Sequence, residues 1–118
     1  MAVTFEQVKA WCLDLPGAAE ELTWEVELTF RVQKKIFAMG TPTGTMISVK
    51  ASREDQEELI ASDGETYRFA PYVGRFGWVQ VNLPTADPDE LRDVITEAWR
   101  RTAPKKLVRA FDAENSQQ

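Results

Sequence analysis

The spacing of apolar positions changes period several times along the 118 residues, and each change marks an element. Phe5, Val8, Cys12 and Leu15 recur at helical spacing behind Thr4, a good N-cap, with Trp11 beside them. This helix is expected to stop at "LDLPGA", because Pro16 and Gly17 do not continue it. Residues 18–27 read as acidic and irregular, with Trp24 as a single anchoring contact. The period then falls to two. Leu28, Phe30 and Val32 alternate with Thr29 and Arg31, Gln33-Lys34-Lys35 forms a tip, and the apolar run Ile36 to Met39 returns, which predicts a hairpin. "TPTGT" turns the chain into a third strand, Met46 to Val49. Ser52 caps a second helix with Asp55 at its third position, Leu59 and Ile60 as its apolar residues and Asp63-Gly64 as its end. Residues 66–70 and Trp78 to Leu83 predict two more strands. A last helix opens on Asp87 as N-cap, Pro88 at its first position and Glu90 completing a capping box. Its stripe is Leu91, Val94, Ile95, Ala98 and Trp99, and Pro104 ends it.

The predicted order is α-β3-α-β2-α. Hairpins interrupted by helices imply an α+β fold: a two-layer α/β sandwich, its antiparallel sheet carrying helices on one face. Residues 1–111 are expected to form a single domain, and residues 112–118, "DAENSQQ" after Phe111, a polar and disordered tail.

Composition narrows function mainly by what is missing. There is no histidine, so the commonest general base and metal ligand are both absent. One cysteine, Cys12, cannot build a zinc cluster and fits a reducing compartment. No spacing of carboxylates, lysines, tyrosines or serines recommends a catalytic set. The expectation is therefore a protein that is not an enzyme, with no cofactor and no metal. Apolar runs do not exceed four residues, and the N-terminus lacks a signal-peptide pattern, which points to a cytoplasmic protein with no membrane association.

The net charge is −5, which argues against indiscriminate phosphate binding, yet the charge is blocked. Residues 31–53 hold Arg31, Lys34, Lys35, Lys50 and Arg53 without an acid, whereas residues 54–65 hold six acids and no base. Residues 66–86 carry only Arg68 and Arg75. An acidic total thus conceals a basic face. Against this stand ordinary readings. Lysines at a hairpin tip serve solubility, and the glycines flanking Arg75 make turns. Tyr72 and Trp78 are expected to pack in the core or in a turn rather than to stack on bases. Lys50 is expected to be an exposed strand residue, and Arg100 and Arg101 to answer the helix dipole.

"DLPGAAEELTWE", "FRVQKKIFAM", "SVKAS", "APYVGRFGWVQVNL" and "EAWRRTAPKK", in this order and spacing from about Val8 to Lys106, resemble the MmcQ/YjbR family of small bacterial proteins. The resemblance implies a fold like that of the type III secretion chaperones. It also implies duplex-DNA binding through a double wing of two β-hairpins. The first wing tip is Gln33-Lys34-Lys35 and the second Gly74-Arg75-Phe76-Gly77, and with Lys50 and Arg68 they supply the nucleic-acid-binding residues Lys34, Lys35, Lys50, Arg68 and Arg75. Relatives often place histidine where Phe76 stands, so no imidazole serves that turn here. The alternative expectation is a protein-interaction or chaperone-like module with a protein partner, or one that self-associates.

Overall fold

Thr4 opens the fold with a complete capping box. Its hydroxyl accepts from the Gln7 amide at 3.2 Å, and the Gln7 side chain accepts from the Thr4 amide at 3.0 Å. Helix α1 (Phe5–Asp14) follows, with Phe5, Val8 and Cys12 buried. The computed structural model describes residues 2–23 and 27–115, so the contact expected of Trp24 lies outside the described residues.

Beyond α1 the structure departs from the sequence pattern. Residues expected to be irregular form β1 (Ala18–Thr23), paired antiparallel with β2 (Glu27–Val32) from Ala18 opposite Val32 to Thr23 opposite Glu27. As the outer strand of the sheet, β1 has no need of an apolar alternation; its side chains are largely exposed. β2 and β3 (Lys35–Gly40) form the expected hairpin. Gln33 and Lys34 both adopt positive φ, 48° and 71°, as in the type I′ turn, whose twist matches that of the flanking strands. Arg31 braces this turn. It donates to the Lys34 carbonyl at 3.3 Å and to the Thr29 hydroxyl at 3.1 Å, and pairs with Glu21 at 3.3 Å.

Next come β4 (Met46–Val49), α2 (Arg53–Ser62), β5 (Tyr67–Phe69), β6 (Val79–Asn82), α3 (Pro88–Thr102) and α4 (Lys105–Asn115). The strands form one antiparallel sheet in the order β1-β2-β3-β4-β6-β5. Phe30, Val32, Ala38, Ile47, Val49, Val79 and Val81 join Leu91, Ile95, Ala98 and Trp99 of α3 in one core. The Trp99 indole N–H donates to the Pro16 carbonyl at 2.9 Å and ties α3 to the end of α1.

The observed order is thus α-β4-α-β2-α-α rather than α-β3-α-β2-α. Besides β1, the addition is α4, whose Leu107, Val108 and Phe111 pack against the core, with Phe111 at 5.0 Å from the Trp99 ring. It stays helical through Asn115, four residues into the segment expected to be disordered. One cap also differs: Asp87 occupies the N-cap of α3 but makes no side-chain hydrogen bond, so the expected box with Glu90 does not form.

A candidate nucleic-acid interface

Strand register brings the two tips to one end of the sheet. Val32 faces Lys35 at the β2–β3 turn, Ala38 faces Val49, Val49 faces Val79, and Val79 faces Phe69. The Gln33-Lys34 turn, Lys50 after β4 and the β5–β6 connection with Arg75 therefore share that end. In the sheet order the centres of the two hairpins are three strand spacings apart, about 14 Å.

Arg68 lies elsewhere on the same sheet. It sits opposite Gln80, and that row continues through Ser48, Met39 and Thr29 to Glu21. These alternate with the core positions, so they form the face turned away from the helices. Between Arg68 and Met39 this row holds no acid; Glu21 lies at its far end, paired with Arg31. Lys34, Lys35, Arg68 and Arg75 are exposed and Lys50 is half-buried. None of the five makes an ion pair among the described residues. Of the other basic residues, Lys105, Lys106 and Arg109 on α4 likewise make no ion pair among the described residues, and the rest are occupied. Arg53 binds a backbone carbonyl, Arg100 pairs with Glu97 and Asp112, and Arg101 pairs with Asp55.

The second tip is not the free hairpin end that the sequence suggested. Residues 70–78 fold back on the start of α2 as a turn of 3₁₀ helix, Gly74–Phe76. The buried Gln56 side-chain amide donates to the carbonyls of Gly74 at 2.8 Å and Trp78 at 2.7 Å. Arg53 donates twice to the Arg75 carbonyl, at 3.1 and 2.8 Å. Gly77 takes φ 98°, and a Cβ there would stand 2.6 Å from the Ala51 carbonyl oxygen. The turn is held by its backbone, which leaves the Arg75 side chain outside, its guanidinium 4.8 Å above the Phe76 ring.

The aromatic residues of this segment divide. Trp78 is buried as expected, but Tyr72 is 96% exposed, contrary to the packing role expected of it, while Phe69 and Phe76 are each 60% exposed. Tyr72 also holds a positive φ of 64°, a conformation that a non-glycine residue adopts only at some cost in strain. Phe69, Gly74 and Arg75 together with Arg53, Gln56 and Glu57 line a shallow pocket of about 340 Å³. Sequence reasoning identified Arg75 here but not Phe69, Arg53 or Gln56. Only the apolar Phe69 on a short strand beside glycines gave any signal.

Two other features bear on chemistry. Burial pushes the Cys12 thiol far above its ordinary value, so it remains a neutral core group. Burial and the nearby Glu90 carboxylate, with the charges of Asp63 and Asp87, likewise push up the Tyr67 phenol, whose hydroxyl finds no partner of good hydrogen-bond geometry among the described residues. Between α2 and α3 runs a groove of about 370 Å³ with Leu59 and Val94 in its lining and Glu58, Glu90, Asp93 and Glu97 among its acids. Among the described residues no cluster of histidine, cysteine or carboxylate has the makings of a metal site, and no helix is long and apolar enough to cross a membrane.

The fold and its basic end define a small α+β domain, one antiparallel sheet backed by helices. The profile of the YjbR family matches residues 13–101, and the chain belongs to that family. The uncharacterized protein Rv2570 of Mycobacterium tuberculosis is 33% identical over 97 residues, which cover 80% of this chain and 75% of that protein. The uncharacterized protein Mb2600 of Mycobacterium bovis matches to the same extent. Among solved structures, Deinococcus radiodurans protein DR2400, a DUF419 domain, aligns with a TM-score of 0.76 at 21% identity, covering 83% of this chain and 77% of that one. That likeness concerns the fold.

Proposed function

We propose that this chain is a non-enzymatic binder of duplex DNA that contacts the phosphate backbone with the basic end of its sheet. The observation that carries the reading is the register. It gathers Lys34, Lys35, Lys50 and Arg75 at one end of the sheet, on two connections whose hairpins are centred three strand spacings apart. Lysine and arginine at such tips position a protein on DNA without reading its sequence. The net charge of −5 keeps the binding weak and salt-sensitive.

Fluorescence anisotropy against a blunt duplex at low salt tests this. Binding tighter than ~100 μM is expected, and its log–log salt slope, at ~0.9 per phosphate contact, should be roughly −3 to −4 for four cations. Replacing Lys34, Lys35, Lys50 and Arg75 by alanine should flatten that slope. Absence of binding, or a slope indifferent to the substitutions, would overturn the proposal.

The second reading is a protein-interaction module, and a different observation favours it: the acid-rimmed groove between α2 and α3 with apolar lining. A stoichiometric protein recovered without nucleic acid, and lost on replacing Leu59 and Val94 by polar residues, would favour it.

A further inference from the structure

Resting on the DNA reading, we infer that the β5–β6 tip is also a stacking site for unpaired nucleotides, sharing only Arg75 with the cations that hold the duplex. Three observations converge on it. First, the connection from 69 to 76 leaves Phe69, Tyr72 and Phe76 exposed, although Ala70, Gly74, Gly77 and Trp78 around them are buried. Second, the tip is rigid for reasons unrelated to those rings. Gln56 and Arg53 fix its carbonyls, and Gly77 lies too close to Ala51 for any other residue. Tyr72 is thus held outward in a left-handed conformation by a scaffold that tolerates the strain. Third, the tip has the charge a nucleotide needs. Residues 66–86 contain no acid, and Arg75 lies over Phe76.

The pocket of about 340 Å³ adds the third ring and the charge: the Phe69 ring packs against Gly74 there and the Arg53 and Arg75 side chains line it too, while Tyr72 and Phe76 stand outside its lining. A base stacks on an aromatic ring whatever its identity, and a guanidinium receives the phosphate attached to it. Arg53 binds the Arg75 carbonyl through Nε and Nη2, which leaves Nη1 for a phosphate. Glu57, the one acid in the lining, opposes the phosphate and favours the neutral base over it. The occupant is therefore an unpaired nucleotide of a DNA strand, and the site reads no sequence.

The test compares three probes by anisotropy at one salt concentration: a blunt DNA hairpin, the same hairpin with a single-stranded thymine overhang, and single-stranded oligothymidine. The overhang should bind at least ~5-fold tighter than the blunt hairpin. Tyr72→Ala with Phe69→Ala should remove most of that advantage while leaving the blunt hairpin nearly unchanged, and Lys34→Ala with Lys35→Ala should weaken both hairpins alike. Both substituted rings are exposed, and an unchanged melting curve verifies the fold. Equal affinity for the blunt and overhang probes, or an advantage kept without the two rings, overturns the inference while the duplex reading stands. Binding of the single strand with none to the blunt hairpin does the reverse. No binding to any probe overturns both.

Discussion

Gln56 provides the sharpest test of how the tip is built. Its amide is buried and donates to two carbonyls of the 70–78 connection, at 2.8 and 2.7 Å. Gln56→Ala removes both bonds, each contributing about 0.5–1.5 kcal/mol net. The further penalty for stranding buried carbonyls applies only in part. Gly74 still accepts from the Gly77 amide at 2.9 Å, and Trp78 from the Ala70 amide at 3.4 Å. The expected loss is therefore about 2–3 kcal/mol, a fall in melting temperature of roughly 8–12 °C for a domain of this size. Gln56→Glu should be worse, because a buried carboxylate would face two carbonyl oxygens without a donor, and a further ~2 kcal/mol is expected at neutral pH. Its pH response has a definite sign. Burial raises the pKa of the introduced carboxyl above its unfolded value of about 4.3. The protonated form donates one bond, so stability is regained below that value and lost as pH rises through the folded pKa. Urea unfolding of the three proteins at several pH values reads all of this. Gln56→Ala within about 0.5 kcal/mol of wild type, or Gln56→Glu no less stable than Gln56→Ala at neutral pH, would refute the reasoning.

Two further predictions use the same assays. Gly77→Ala combines a positive φ with a backbone clash at Ala51, so it should cost about 3 kcal/mol or more; Gly74→Ala meets only the half-exposed Phe69 ring, which can swing away, and should cost less. The opposite ranking in urea would contradict the geometry. Native Cys12 should resist iodoacetamide and label only as fast as the chain unfolds, since burial holds it as a neutral thiol. Because its folded pKa lies above the unfolded value of about 8.5, the stability tied to the neutral thiol is complete below that pH and declines above it. The advantage of wild type over Cys12→Ala should narrow at alkaline pH. Labelling of the native protein at the rate of a free cysteine would reject the buried-thiol picture.

Legibility in the sequence followed local chemistry. Thr4, Ser52 and Pro88 announced their helices because caps and proline act within one turn, and β4 was found at its observed bounds because both its faces touch something different. α4 escaped notice because Pro104 reads as a stop, whereas here it closes α3 and its carbonyl accepts from the Leu107 and Val108 amides at the start of the next helix. At the candidate site, the lysine tip was legible from polar Gln33-Lys34-Lys35 between an alternating run and the apolar run Ile36 to Met39. The arginine tip was legible only as to residue. Its clamp joins Arg53 and Gln56 to carbonyls about twenty positions away, a pairing that no local period encodes. The outward placement of Tyr72 depends on that clamp, so an aromatic beside glycines read as packing.

The single sheet ends in two strands with an unpaired side, and each could in principle recruit a strand from another molecule. β5 is only three residues long, too short a template for lasting addition. β1 is twice that length, but Glu20 and Glu21 sit at its middle, and a second copy aligned along it would bring like charges together. The acids that hid this strand from the hydrophobic pattern thus place charge on its open edge, the kind of edge that disfavours strand addition, although each also pairs with a basic residue of this chain.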